Sequence, residues 1–280
     1  MRFTKMHGLG NDFLVIDERV DSGHDWPQLA RRLCDRRRGV GADGILLMGG
    51  GHGGHLRMRL INADGSEAEM CGNGVRCVAV LAAQRGLAGR RAVWDTGAGP
   101  VVTVVGDDGM VTVDMGRPRF NPAEIPVDVP GDDALAVDVE LPGAVVRASC
   151  VGMGNPHCVV VVDDLEATPV GEWGPLIECH RLFPARTNVE FVAVLSPRHV
   201  RQRTFERGVG ETDACGTGAC ATVVALRRRG LVEAAVDVEL RGGTLRVEWP
   251  DDGPVLMTGP ADAVYEGEVQ PSSLGAALPS

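Results

Sequence analysis

The chain has 280 residues, 44% hydrophobic and 24% charged, with 38 Asp and Glu against 28 Lys and Arg for a formal charge of −10. That length allows two domains with a core each, and the acidic balance argues against nucleic acid or an anionic membrane surface as partner. No run approaches the roughly 18 apolar residues of a membrane span, and MRFTKMHGLGNDF lacks the apolar core of a signal peptide, so a cytoplasmic protein with eight reduced cysteines is expected.

In chain order, MRFTKMH and DFLVIDE read as strands around a turn, WPQLARRLCDRR as a first helix, and HLRMRLIN as a strand leading toward Cys71. Residues 75–85 read as a helix ending near Gly86, followed by short strand patterns through WDTGAG, PVVTVVG and MVTVDMG. RPRFNPAEIPVDVPGDD is proline-rich and without periodicity, and reads as the connection between domains. The series then repeats: strands near AVVRAS and CVVVV, a helix near VGEWGPLIECHR, strands near NVEFVAV and VRQRTFER, and a helix in GACATVVALRRR. The expected domains are 1–115, carrying Cys71, and 116–262, carrying Cys215, with 263–280 a tail packing back on the N-terminal half.

The repetition extends to single residues. Cys71-Gly72-Asn73-Gly74 and Cys215-Gly216-Thr217-Gly218 lie 144 positions apart (215 minus 71), and Gly10-Asn11 matches Gly154-Asn155, Glu67 matches Glu211 and Arg37 matches Arg181 at the same offset. A register held across the chain indicates internal duplication. In each CGxG turn the glycines leave main-chain N–H groups unobstructed at the start of the following helix, which favours an anion there and should lower the pKa of both thiols. A carboxylate held by two such turns would have a sulfur on either side of its α-carbon, and the aligned N–H dipoles would stabilise the charge that α-proton removal pushes into it. A single CGxG turn reads as well as a buried structural cysteine; it is the matched pair that points to chemistry.

Other patterns carry less. Gly39, Gly41 and Gly44 spell G-x-G-x-x-G, but they follow a charged helix and not a buried strand, so dinucleotide binding is not expected. His52 and His55 in GGGHGGH read as a hairpin loop, and the cysteine spacings do not match zinc sites, so neither metal nor cofactor is expected. Arg36 to Arg38 and Arg227 to Arg229 read as solvated helix ends.

MHGLGNDF, NADGSEAEMCGNGVRC, GNPHCV, RTNVEFV and ERGVGETDACGTGACA, with the later MTGP and VYEGE, resemble the successive signature segments of the diaminopimelate epimerase family. The resemblance implies a cofactor-independent isomerase interconverting LL- and meso-diaminopimelate for lysine and peptidoglycan precursors. It implies an α/β (α+β) fold of two pseudo-symmetric domains, each a sheet wrapped around a central helix, with the active site in the cleft between them and a homodimer as the assembly. Carried over, Cys71 and Cys215 match the catalytic acid and base, with His157 and Glu206 as accessory catalytic groups. Gly72, Asn73, Gly216 and Thr217 match the amides that hold the reacting carboxylate. Asn11, Asn62, Asn155 and Asn188 match substrate-binding asparagines, and Glu206 and Arg207 match the pair that reads the distal amino acid end. An arginine for a carboxylate and an acid for an ammonium suit a substrate with two amino acid ends.

Two positions depart from the pattern: Gly44 stands where glutamine is common, and Phe205 where tryptophan is frequent. Two alternatives stay open. Proline- and hydroxyproline-type racemases also carry two CGxG-like segments, but they favour histidine where Asn73 stands and lack the Asn62, Asn188 and Arg207 set. A non-enzymatic dithiol switch would leave the asparagines and Glu206-Arg207 unexplained.

Overall fold

The computed structural model describes residues 1–250 and 253–270, and the chain divides into two units, Met1–Val113 with the segment from Gly259 onward, and Asp114–Thr258. In chain order the elements are β1 (Arg2–Gly8), β2 (Asn11–Asp17), α1 (Trp26–Leu33), β3 (Gly44–Gly50), β4 (Leu56–Asn62), β5 (Glu67–Ala68), α2 (Gly72–Gln84), β6 (Arg91–Thr96), β7 (Gly99–Val105) and β8 (Val111–Asp114). There follow β9 (Val137–Leu141), β10 (Ala144–Gly152), β11 (Pro156–Val161), α3 (Val170–Glu178), β12 (Asn188–Ser196), β13 (His199–Glu206), β14 (Gly210–Thr212), α4 (Gly216–Arg228), β15 (Ala235–Leu240), β16 (Gly243–Glu248), β17 (Leu256–Gly259) and β18 (Asp262–Glu268).

The duplication holds at the level of strand register. Phe13 pairs with Gly44 as His157 pairs with Asn188, in parallel ladders β2–β3 and β11–β12. Ile45 pairs with Ile61 as Val189 pairs with Phe205, antiparallel, and Leu56 pairs with Trp94 as Val200 pairs with Val238, parallel. Every second pair is the first displaced by 144 residues. A one-residue slip would turn each strand's apolar set outward, so the shared register means that both units bury the same sequence positions.

What they bury is a helix. From Gly72 to Ala82 every residue of α2 is buried, and α4 is buried from Gly218 to Leu226. A helix apolar on all sides must be enclosed; α2 packs against β1, β2, β3, β4, β7 and β18, and α4 against β10, β11, β12 and β16. Outside each sheet a second cluster forms. In the first unit α1, started by Asp25 accepting from the Gln28 amide at 3.0 Å, lays Trp26, Leu29 and Leu33 against Leu14, Ile16, Ile45 and Ile61. In the second, Val170 and Ile177 of α3 meet Val189 and Phe191.

Two expectations need correction. The proline-rich stretch 117–133 belongs to the second unit: Arg119 and Gly152 exchange backbone hydrogen bonds of 2.8 and 2.9 Å, and Ile125 and Val127 enter the core. Proline prevents a regular ladder there but does not prevent apolar burial. The arginines are not simply solvated: Arg36 bridges Asp12 and Asp43 at 2.7 Å each, Arg227 lies over Trp249 and Arg228 over Phe120. The segment from 262 is a strand antiparallel to β1, and Met1 and Val269 exchange backbone bonds of 2.9 and 3.0 Å. The rest of the expected tail, 271–280, lies outside the described residues.

Candidate active site

Cys71 is the N-cap of α2, in extended backbone (φ −144°, ψ 118°), and makes no side-chain cap hydrogen bond. Helix geometry leaves the first N–H groups of a helix without intrahelical acceptors, and Cys71 stands at that end of α2. Around it the polar groups form a directed chain. Arg76, fully buried, donates to Asn73 Oδ1 (2.9 Å), the Gly72 carbonyl (3.2 Å) and the Pro260 carbonyl (3.0 Å). Asn73 Nδ2 then donates to Asn11 Oδ1 (3.2 Å), and Asn11 Nδ2 donates to Asp43 (2.8 Å). A guanidinium can only donate and a carboxylate only accept, so both amide orientations are fixed. The Cys71 thiol, 3.7 Å from Asn11 Oδ1, donates to the same oxygen.

Arg76 therefore orients the polar groups around Cys71 from inside the core. Arg76→Met, which keeps volume and removes the donors, is expected to cost the protein about 2–4 kcal/mol by orphaning buried acceptors. Urea unfolding checks this; an unchanged midpoint would mean that the guanidinium holds nothing.

Asn62 is placed less directly. Its Nδ2 donates to Ser66 Oγ at 3.0 Å, inside its own turn, and its backbone lies opposite Gly44. A Cβ at Gly44 would come within 2.8 Å of the Ile61 carbonyl oxygen and 2.9 Å of Leu60 Cδ1, so no side chain fits there without moving the sheet.

In the second unit Cys215 occupies the matching N-cap of α4 (φ −122°, ψ 109°) and is buried. Its Sγ is 3.6 Å from Thr217 Oγ1, which accepts from Asn155 Nδ2 at 3.4 Å. Asn155 Oδ1 lies 2.8 Å from His157 Nε2, and His157 Nδ1 lies 2.8 Å from Glu190 Oε1. Glu206 accepts from the Thr212 hydroxyl at 2.5 Å and from the Cys215 thiol. Asn188 donates to the Pro156 carbonyl (2.9 Å) and accepts from the Arg207 backbone N–H (3.0 Å), which fixes the strand end from which Glu206 and Arg207 project. Arg207 itself is exposed, with Nη1 donating to the Ala185 carbonyl at 3.1 Å.

The electrostatics of Cys215 reverse the expectation of a lowered thiol pKa. Burial pushes it well above the ordinary thiol range, the carboxylates of Glu206 and Glu190 push the same way, and the Thr217 hydroxyl and Gly218 N–H oppose them without prevailing. Desolvation by burial outweighs the helix N-terminus. Burial likewise raises Glu206, against hydrogen bonds from Thr212 and Cys215. At neutral pH Cys215 is therefore a thiol.

The second glycine of each turn has a steric reason. A Cβ at Gly74 would lie 2.8 Å from Leu46 Cδ2, and one at Gly218 would lie 2.5 Å from Glu190 Oε1 and 3.3 Å from Cys215 Sγ. Glu190, Thr212 and Arg76 went unnoticed in the sequence. The available signal was a lone charge inside an apolar run, Glu190 in NVEFVAV and Arg76 in VRCVAVLAA, since a charge stays buried only with partners. Elsewhere, His52 Nδ1 and His55 Nδ1 both face Asp95, at 3.2 and 2.8 Å.

A duplicated sheet-around-helix architecture defines the class of fold, and that fold recurs in solved structures. The hydroxyproline epimerase of Agrobacterium vitis superposes with a TM-score of 0.70 at 18% identity, covering 95% of this chain and 91% of that one. A PhzF-family phenazine biosynthesis protein of Bacillus anthracis gives 0.71 at 17%, covering 96% and 99%. The family model described as diaminopimelate epimerase matches residues 3–121 and 149–264. Diaminopimelate epimerases of Desulforudis audaxviator and Neisseria meningitidis serogroup A are each 51% identical to it, over 274 and 280 residues, covering 96% of this chain and 99% and 98% of theirs. The chain belongs to the diaminopimelate epimerase family of isomerases.

Proposed function

We propose that the protein interconverts LL- and meso-diaminopimelate without a cofactor, with Cys71 and Cys215 as its acid–base pair, in the supply of lysine and peptidoglycan precursors. The observation that carries the reading is the matched pair of helix-capping thiols, each at the N-terminus of a buried helix that begins in a CGxG turn. The amides of Gly72, Asn73, Gly216 and Thr217 take the reacting carboxylate and stabilise the charge that develops as the α-proton leaves. One thiolate removes that proton and the other thiol delivers one to the opposite face. Cys215, held protonated by burial and by its two carboxylate neighbours, is the proton donor in the direction in which Cys71 acts as the base.

Asn11, Asn62, Asn155 and Asn188 bind or frame the substrate, His157 and Glu206 assist the thiols, and Glu206 with Arg207 reads the distal ammonium and carboxylate. A homodimer in the cytoplasm completes the proposal; no helix among the described residues is long and apolar enough to cross a membrane. Incubation of reduced protein, without added metal or cofactor, with LL-diaminopimelate, L-proline or trans-4-hydroxy-L-proline tests it. Turnover of diaminopimelate alone is expected, and turnover of a proline alone would transfer the chain to the racemase reading.

The pH profile follows from the pair. Activity needs one thiolate and one thiol, so kcat/KM should be bell-shaped. The alkaline limb reports loss of the Cys215 proton, and because burial raises that group it should fall above the ordinary thiol range. An alkaline limb at or below that range, corrected for the substrate's own titration, would assign the donor elsewhere.

A further inference from the structure

His157 Nδ1 and Glu190 Oε1 lie 2.8 Å apart, and neither side chain has any solvent exposure. A carboxylate buried this way is costly unless it is paired, and replacement of such a pair by apolar residues is often neutral or stabilising. The protein contains that replacement. At the same offset of 144, the first unit places Phe13 and Leu46 in the same ladder positions, both buried. Leu46 stands under Gly74 as Glu190 stands under Gly218. The fold therefore needs only apolar side chains at these two positions, and the histidine–glutamate pair occurs solely in the unit that carries Cys215.

Glu190 makes its recorded hydrogen bond to His157 through Oε1, and its Oε2 has no hydrogen-bond partner among the described residues. The ring's other nitrogen faces Asn155 Oδ1. With acceptors at both nitrogens, the arrangement is satisfied when His157 carries both protons and Glu190 the balancing charge. Asn155 then presents Oδ1 to the ring and Nδ2 to Thr217, so the Thr217 hydroxyl, already accepting, turns its own proton to Cys215 Sγ.

We infer that Glu190 is a positioning residue, which holds His157 as a double donor and through Asn155 and Thr217 directs a hydrogen bond onto the Cys215 sulfur. The inference rests on the proposed two-thiol reading for its consequence in turnover, but not for the state of the ring. The hydrogen bond matters when Cys215 is a thiolate, since a donor aimed at sulfur stabilises that form. The logic is that of a functional group oriented by a histidine that is itself oriented by a carboxylate.

The test is NMR of protein labelled with 15N-histidine at neutral pH, the His157 signals being assigned by their loss in His157→Phe. Wild-type protein should show both ring nitrogens of His157 protonated. In Glu190→Leu the second proton should be lost and kcat should fall by about tenfold to a hundredfold, the scale on which an outer hydrogen-bond partner of a functional histidine counts in metal sites, with KM changed little. Glu190→Gln, which keeps an acceptor without the charge, should fall between. The double variant His157→Phe, Glu190→Leu, patterned on Phe13 and Leu46, should fold at least as stably as wild type while losing activity. A bare ring nitrogen in wild-type His157, or a folded Glu190→Leu with wild-type kcat, overturns the inference. Should wild type leave diaminopimelate untouched, the proposed function fails while the ring signals still decide the role of Glu190; should Glu190→Leu fail to fold, Glu190→Gln and the wild-type spectrum decide it.

Discussion

Cys71→Ser and Cys215→Ser are each expected to slow epimerisation at least about a thousandfold, within the range that general acid–base groups contribute. Serine is nearly isosteric, but its hydroxyl is too weak an acid to donate at neutral pH and its alkoxide too scarce to abstract. On the proposed mechanism each thiol is donor in one direction and base in the other, so neither can be spared. The double variant should be little worse than either single one, because the two act as a unit. Loss of folding cannot stand in for loss of chemistry here. Both cysteines are N-caps without a side-chain cap bond, and serine is a preferred N-cap, so the variants should be as stable as wild type or about 1 kcal/mol more so. Near-normal turnover in either folded variant would remove that thiol from the mechanism.

Arg207→Met should be the largest loss among the substrate-binding positions, roughly 3 kcal/mol or about a hundredfold in kcat/KM, as a bidentate charge-assisted contact to the distal carboxylate disappears. The side chain is exposed and spends one donor on the Ala185 carbonyl, which leaves its fork available for an incoming carboxylate. For the same reason the thermal midpoint should hardly move. Arg207→Lys should recover little, because a point charge does not reproduce the fork. Unchanged kcat/KM in the methionine variant would move the distal recognition to another residue.

The two helices and their caps were legible in the sequence because CGxG followed by an apolar run is both a local signal and, at an offset of 144, a repeated one. β3 was not: buried on both faces, Gly44–Gly50 lacks the alternation that marks a strand, and its first glycine completes a misleading G-x-G-x-x-G. The first helix was read through Arg37 but ends at Leu33, because Asp35 accepts from the Arg37 and Arg38 backbone N–H groups, each at 2.8 Å, and turns the chain. Within the site, residue types were readable and their protonation was not. A helix N-terminus argues for a thiolate, and only the strands beneath Cys215 reveal the burial and the two carboxylates that decide for a thiol. The family resemblance makes Asn188 a substrate ligand, yet in the folded chain its amide is committed to the Pro156 and Arg207 backbones.

On the proposed mechanism two thiols exchange protons with one α-carbon from opposite faces. This exchange is tested most directly by following LL-diaminopimelate with the reduced wild-type protein in D2O, reading α-deuterium in each stereoisomer by NMR at early times. The account predicts that newly formed meso-diaminopimelate carries solvent deuterium at the inverted centre while the remaining LL isomer is still unlabelled, because the proton taken by one sulfur is not the one delivered by the other. Product that retains the substrate's own α-hydrogen would contradict it and require a single base.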